Sequence, residues 1–138
     1  MIENPNENAT KFIERMHTEL ENDYRYRGKK YVDLCAAIAY VAGKKLLREG
    51  CFPTIEKIVA SYQEDKKLIP IRFGGRVRWD AHFVCVCNQH AFDPVIGRIE
   101  PCTTYTIKMF GEKLDLNPFR TTDEIVRYGD ERIFLDFS

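Results

Sequence analysis

The run from Tyr31 to Arg48, YVDLCAAIAYVAGKKLLR, is the longest apolar-rich segment of the chain, and any fold the chain adopts must bury it. Leu34, Ile38, Val41 and Leu46 recur at roughly three- and four-residue intervals, and Ala36, Ala37, Ala39, Ala42 and Gly43 leave room for other elements to approach closely. The pattern predicts a buried central helix. Asp33 is placed to cap its start, which puts Cys35 in the first turn, beside unpaired backbone N–H groups and the positive end of the helix dipole. A thiolate is favoured there, and a thiolate is a nucleophile. A free cysteine in a core helix also serves simply as a small apolar side chain. What the rest of the chain brings to Cys35 decides between the two.

A chain of 138 residues predicts a single domain spanning 1–138, large enough to bury about two thirds of its unfolded surface. Residues 1–8 are polar and contain Pro5, which predicts a flexible lead-in. Lys plus Arg equals Asp plus Glu, 21 each, so there is no overall basic field for nucleic acid and no acidic tail. No window reaches the roughly eighteen apolar residues of a membrane span, and MIENPNENATKF is polar and acidic where a signal peptide is basic and then apolar. The expectation is a cytoplasmic protein with no membrane and no nucleic-acid partner. Five cysteines, at 35, 51, 85, 87 and 102, are an odd number in a chain with core enough to need no staples, which predicts reduced thiols.

Before the central helix, Phe12, Ile13, Met16 and Leu20 predict an amphipathic helix of about three turns from Ala9, ending before the polar run Glu21 to Asp23. DYRYRGKK then reads as a loop, broken at Gly28. Gly50 is a fitting stop for the central helix, and Thr54 is placed to cap a second amphipathic helix, TIEKIVASYQEDKK, with Ile55, Ile58, Val59 and Tyr62 on one face. At Leu68 the period becomes strand-like. LIPIRF predicts an edge strand containing Pro70, Gly74 and Gly75 a turn, and RVRWDAHFVCVC a long strand. Asn88 and Gln89 predict a two-residue turn from which HAFDPVIG runs back. Residues 100–111 suit either a short helix capped by Thr103 or Thr104 or a strand; LDLNPFR reads as a loop; Thr121 or Thr122 with Asp123 and Glu124 opens a short helix ending at Gly129; RIFLDF reads as a closing strand.

The hairpin carries the chemistry. A turn at Asn88 and Gln89 pairs Cys87 with His90, Val86 with Ala91 and Val84 with Asp93, and opposed residues share a face. Asp93 then lies on the diagonal from His82, about 7 Å between backbones, within reach of a carboxylate to imidazole hydrogen bond. Cysteine catalysis needs a thiolate, an imidazole to hold and deliver the proton, and a third group to fix the imidazole tautomer. Cys35, His82 and Asp93 fill those roles in chain order.

A helix-borne Cys, a strand-borne His and an Asp on the next strand, with apolar alternation after the His and a DP dipeptide closing HFVCVCNQHAFDP, resembles the papain-like cysteine protease superfamily in its compact bacterial and transglutaminase-like forms. The resemblance covers roughly residues 24–111. It implies an α+β fold in which the Cys helix packs on an antiparallel sheet carrying His and Asp. The chain departs from the family in having DLCAA around Cys35, in the short spacing to His82, and in having no Gln just before Cys35 to donate to an oxyanion. The oxyanion would therefore be held by the Cys35 N–H together with Asn22 or a backbone group of Lys30 or Tyr31, and Trp79 would wall the site or serve as packing.

Other uses of these residues are weaker. His90 falls on the face opposite His82, as a surface or structural residue, and His17 is expected to face solvent. Cys85 and Cys87 point one way and His82 the other, with no CxxC pair, so no zinc site is expected and no cofactor is implied. DYRYRGKK is one short loop in a neutral chain and reads as a solvated loop beside the central helix, or as one lip of a substrate cleft, rather than as a nucleic-acid patch. The expected function is a cysteine hydrolase or acyl-transfer enzyme acting on a peptide, isopeptide or glutamine amide, with a protein or peptide substrate. The alternative is an inactive adaptor or immunity-type binding protein on the same frame.

Overall fold

A computed structural model describes residues 7–27, 35–60 and 66–128. In chain order its elements are α1 (Glu7–Arg27), α2 (Cys35–Arg48), β1 (Thr54–Val59), a short 3-10 turn (Ile71–Phe73), β2 (Ala81–Cys87), β3 (His90–Asp93), β4 (Arg98–Pro101), α3 (Cys102–Phe110), β5 (Asn117–Arg120) and α4 (Thr122–Tyr128). The architecture is α+β: among the described residues, four helices accompany one antiparallel five-stranded sheet in the order β4-β3-β2-β1-β5. None of these helices is long and apolar enough to cross a membrane.

Helix α2 begins at Cys35 and buries Ile38, Ala39, Ala42 and Leu46. Its end is set by chain chemistry: Gly50 takes φ +83, Gly50 N–H bonds the Leu47 carbonyl and Cys51 N–H bonds the Leu46 carbonyl, the paired bonds of a Schellman stop. The small residues do bring neighbours close. A Cβ added to Gly43 would lie 3.2 Å from Ile125 of α4 and 3.6 Å from the sulfur of Cys85 on β2. Helix α1 contributes Ile13, Met16, His17 and Leu20, one stripe at helical spacing.

The β2–β3 hairpin has the predicted register, Cys87↔His90 and Val86↔Ala91, and its turn residues Asn88 and Gln89 take φ 51 and 64, the left-handed pair that matches strand twist. After Asp93 the chain reverses in a tight turn closed by Gly97 N–H to the Asp93 carbonyl at 2.8 Å, and β4 starts at Arg98. Gly97 has φ +80, and a Cβ there would meet the His17 ring at 2.6 Å. His17 is thus not the solvent-facing residue that the sequence suggests: it is buried, and its Nδ1–H donates to the Pro94 carbonyl at 2.9 Å.

Several other expectations are overturned. TIEKIV is a strand, not a helix: Ile55 pairs with Cys85 and Ile58 with His82, so the two isoleucines point to opposite faces and both are fully buried. A strand covered on both faces has no apolar alternation, and its three-residue spacing mimics a helix. Among the described residues LIPIRF makes one bridge, Leu68 to Trp79, before Pro70 opens the 3-10 turn, and the long strand starts at Ala81 rather than Arg76. LDLNPFR contains β5, with Pro118 tolerated on an edge strand. Helix α1 continues through the polar run to Arg27, and so through part of DYRYRGKK, and it already includes Glu7 and Asn8. Residues 100–111 contain the end of β4 and then α3, preceded by Pro101 rather than a threonine cap. Helix α4 opens with a capping box, Glu124 N–H to Thr121 Oγ1 and Thr121 N–H to the Glu124 carboxylate. Asp33, Tyr62 and RIFLDF lie outside the described residues.

Candidate active site

His82, the second residue of β2, is fixed from several sides. Immediately before the strand, Leu68 and Trp79 exchange two backbone hydrogen bonds of 2.8 and 2.9 Å. This clamp lays the Trp79 indole flat on the imidazole, centroids 4.3 Å apart and planes within 6°. Phe110, at the end of α3, meets the same imidazole edge-on at 6.2 Å. Ring contacts of this kind contribute about 0.5–1.5 kcal/mol each beyond area burial, and here they also stop the imidazole from turning. Trp79 therefore stands as a wall of the histidine, 5 % exposed.

Asp93 is the last residue of β3. Its Oδ2 accepts the His82 Nε2–H at 2.7 Å and the Tyr105 hydroxyl of α3, and its Oδ1 accepts the Ile96 N–H at 3.1 Å inside the turn. All three side chains, His82, Asp93 and Tyr105, have no solvent exposure. Burial alone would push the Asp93 carboxyl up, but the His82 charge and the donors His82, Tyr105 and Ile96 N–H hold it below the ordinary carboxylate range. Burial likewise opposes charging His82. The Asp93 and Cys35 charges, with hydrogen bonds to both, prevail and push its pKa up to about 10. Tyr105 is pushed well above the phenol range, first by burial and then by Asp93, so its hydroxyl stays a donor.

Asp93 occupies Nε2, so Nδ1 is the ring nitrogen left for Cys35. Nδ1 is buried without a hydrogen bond of standard geometry, while the Cys35 sulfur is near enough to act on the ring by charge and hydrogen bonding. Cys35 is 6 % exposed, at the first residue of α2. The structure thus brings Cys35, His82, Asp93 and Trp79 together. Asn22 lies on α1 and is exposed, and Lys30 and Tyr31 lie outside the described residues.

Tyr105 is the residue that sequence reasoning missed. Nothing local marks it: only when the Pro94–Gly97 turn splits HAFDPVIGRIEP into two strands does α3 come back across Asp93. The remaining thiols have structural surroundings. Cys85 donates to the Ala39 carbonyl at 2.9 Å and its pKa is pushed up by burial, and burial also raises Cys51, which sits beside Cys87, and Cys102. His90 is buried with Nδ1 against the Asn88 carbonyl, bracing the hairpin turn. Among the described residues no group of three or more His, Cys, Asp or Glu side chains is placed to hold a metal ion.

No protein-family model, curated protein or solved structure matches this chain.

Proposed function

We propose that the chain is a papain-like cysteine hydrolase or acyl-transfer enzyme built on Cys35, His82 and Asp93. The observation that carries this reading is the fully buried Asp93–His82 hydrogen bond that leaves Nδ1 of the same ring to a cysteine at a helix start. A raised His82 pKa means that the ring readily holds a second proton, and the Cys35 thiol is the source at hand. The Sγ proton passes to Nδ1 while Nε2–H stays on Asp93, and the sulfur attacks an amide carbonyl. The oxyanion is held at the N-terminus of α2, where backbone N–H groups are free of intrahelical partners. His82 then gives its proton to the leaving nitrogen, and a thioester remains. Water resolves it to an acid, which is cleavage of a peptide or isopeptide bond or deamidation of a glutamine; an amine resolves it to a new amide. The mechanism uses no cofactor, and its substrate is a protein or peptide.

The test is iodoacetamide labelling of the folded protein near neutral pH, located by peptide mass spectrometry. Cys35 is expected to label at least about tenfold faster than the other four thiols, and to lose that lead in His82→Ala and in Asp93→Asn. A Cys35 that is inert in the folded protein, or indifferent to His82, would leave a binding module on this frame, a reading that the 6 % exposure of the thiol favours.

A further inference from the structure

We infer that a pocket on the far side of the aromatic wall binds a carboxylate-bearing side chain of the peptide substrate. This deepens the proposed function and rests on it. The pocket holds about 360 Å³, at the small end of ligand sites, and Lys66, Lys67 and Arg78 stand around it with Glu112 as the opposing charge. Its apolar lining includes Leu68 and Phe110. These two residues tie it to the site: Leu68 holds the Trp79 backbone, and Phe110 touches the His82 ring. The pocket is therefore one ring away from the imidazole.

Charge selects the occupant. The chain as a whole is neutral, yet among the described residues three cations and one anion line this pocket. Lys66 meets Glu112 only at 3.7 Å, with both side chains nearly half exposed, and Lys67 is held by Asp80, which is itself 86 % exposed. Arg78 forms no ion pair among the described residues. A second basic pocket, around Arg72, Arg98 and Lys108, makes the contrast: there Glu21 takes Arg72 and Glu100 takes Arg98 and Lys108. Beside the aromatic wall, by contrast, Arg78 leaves its guanidinium uncommitted among the described residues. A guanidinium takes a carboxylate in two parallel hydrogen bonds, the lysines add charge, and Leu68 and Phe110 accept the methylene stem of a glutamate.

The experiment uses the full chain carrying Cys35→Ala, so that binding is read without turnover, and follows fluorescence anisotropy of a labelled glutamate-rich peptide against its glutamine twin. The glutamate peptide is expected to bind at least about tenfold more tightly at low ionic strength, with the preference shrinking at about 0.15 M salt. The preference is expected to fall in Arg78→Gln and to vanish in Lys66→Glu/Arg78→Glu, surface changes whose folding circular dichroism checks. Equal affinity for the two peptides, or a preference that survives the double reversal, would overturn the proposal. So would equal binding of a single-stranded oligonucleotide of matching charge, which marks an undiscriminating polyanion surface. The two readings fail separately: charge-selective binding with an inert wild-type Cys35 keeps the pocket and removes the catalysis, whereas a reactive Cys35 without selectivity removes the pocket alone.

Discussion

Asp93 receives three donors, and two of them converge on one oxygen. A buried carboxylate that accepts several hydrogen bonds stays ionised and stays in place, and both properties are needed to orient an imidazole. Tyr105 supplies one of the three from α3 without touching His82 by a hydrogen bond of its own. Tyr105→Phe keeps the ring and removes only the donor. It is expected to cost about 1–3 kcal/mol in urea unfolding, the usual penalty for leaving one buried polar partner short, and to slow Cys35 alkylation less than Asp93→Asn does. Loss of stability without any effect on alkylation would make Tyr105 a packing residue. At this scale the sequence is legible in part. The His82–Asp93 contact follows from counting residues around a two-residue turn, whereas Tyr105 depends on a strand, β4, that no apolar alternation announces.

At the scale of elements, the hairpin sets the register that brings His82 and Asp93 together, and its turn contains two non-glycine residues at positive φ. Asparagine tolerates that region; glutamine at φ 64 is strained there, by about 1 kcal/mol. Gln89→Gly is expected to stabilise the protein by roughly that amount, since Asn-Gly is the favoured pair for this turn, and the backbone carbonyl that accepts the Cys102 N–H is retained. A higher thermal midpoint with unchanged Cys35 labelling is the expected result. Legibility at this scale followed local punctuation. Gly50 and the Asn88–Gln89 turn are fixed by short-range chemistry and were readable, as was the Thr121–Glu124 box. Strand β1 was not, because Ile55 and Ile58 are both buried, on opposite faces, and only the sheet around them decides the period. Strand β5 was hidden by Pro118, which an edge position permits.

At the scale of the whole molecule, a charged pair sits in the middle of the core, and stability must track its protonation. His82 has a raised native pKa, so the stability it contributes is fully present below the unfolded value of about 6.5 and is lost as pH climbs through about 10. Asp93 has a lowered native pKa, so its contribution is present above the unfolded value of about 3.9 and is lost as pH falls through the native one. The two windows overlap between roughly pH 4 and 6.5. Unfolding by urea is expected to show the largest difference between wild type and His82→Gln in that window, about 3–5 kcal/mol for breaking a buried pair, with the difference shrinking toward pH 10. A pH-independent difference would mean that the pair is not ionised in the folded protein.

The turn after β3 ties two tasks to one side chain, since Oδ2 of Asp93 orients His82 while Oδ1 closes the backbone reversal that His17 packs against. If Cys35 catalyses as proposed, a lineage of such chains released from selection for chemistry would therefore not lose its three site residues in arbitrary order. Replacing Cys35 by alanine leaves the three hydrogen bonds to Asp93 in place, whereas substitution of Asp93 removes the acceptor of all three. Silent descendants would be recognised by a missing thiol above an intact aspartate and histidine.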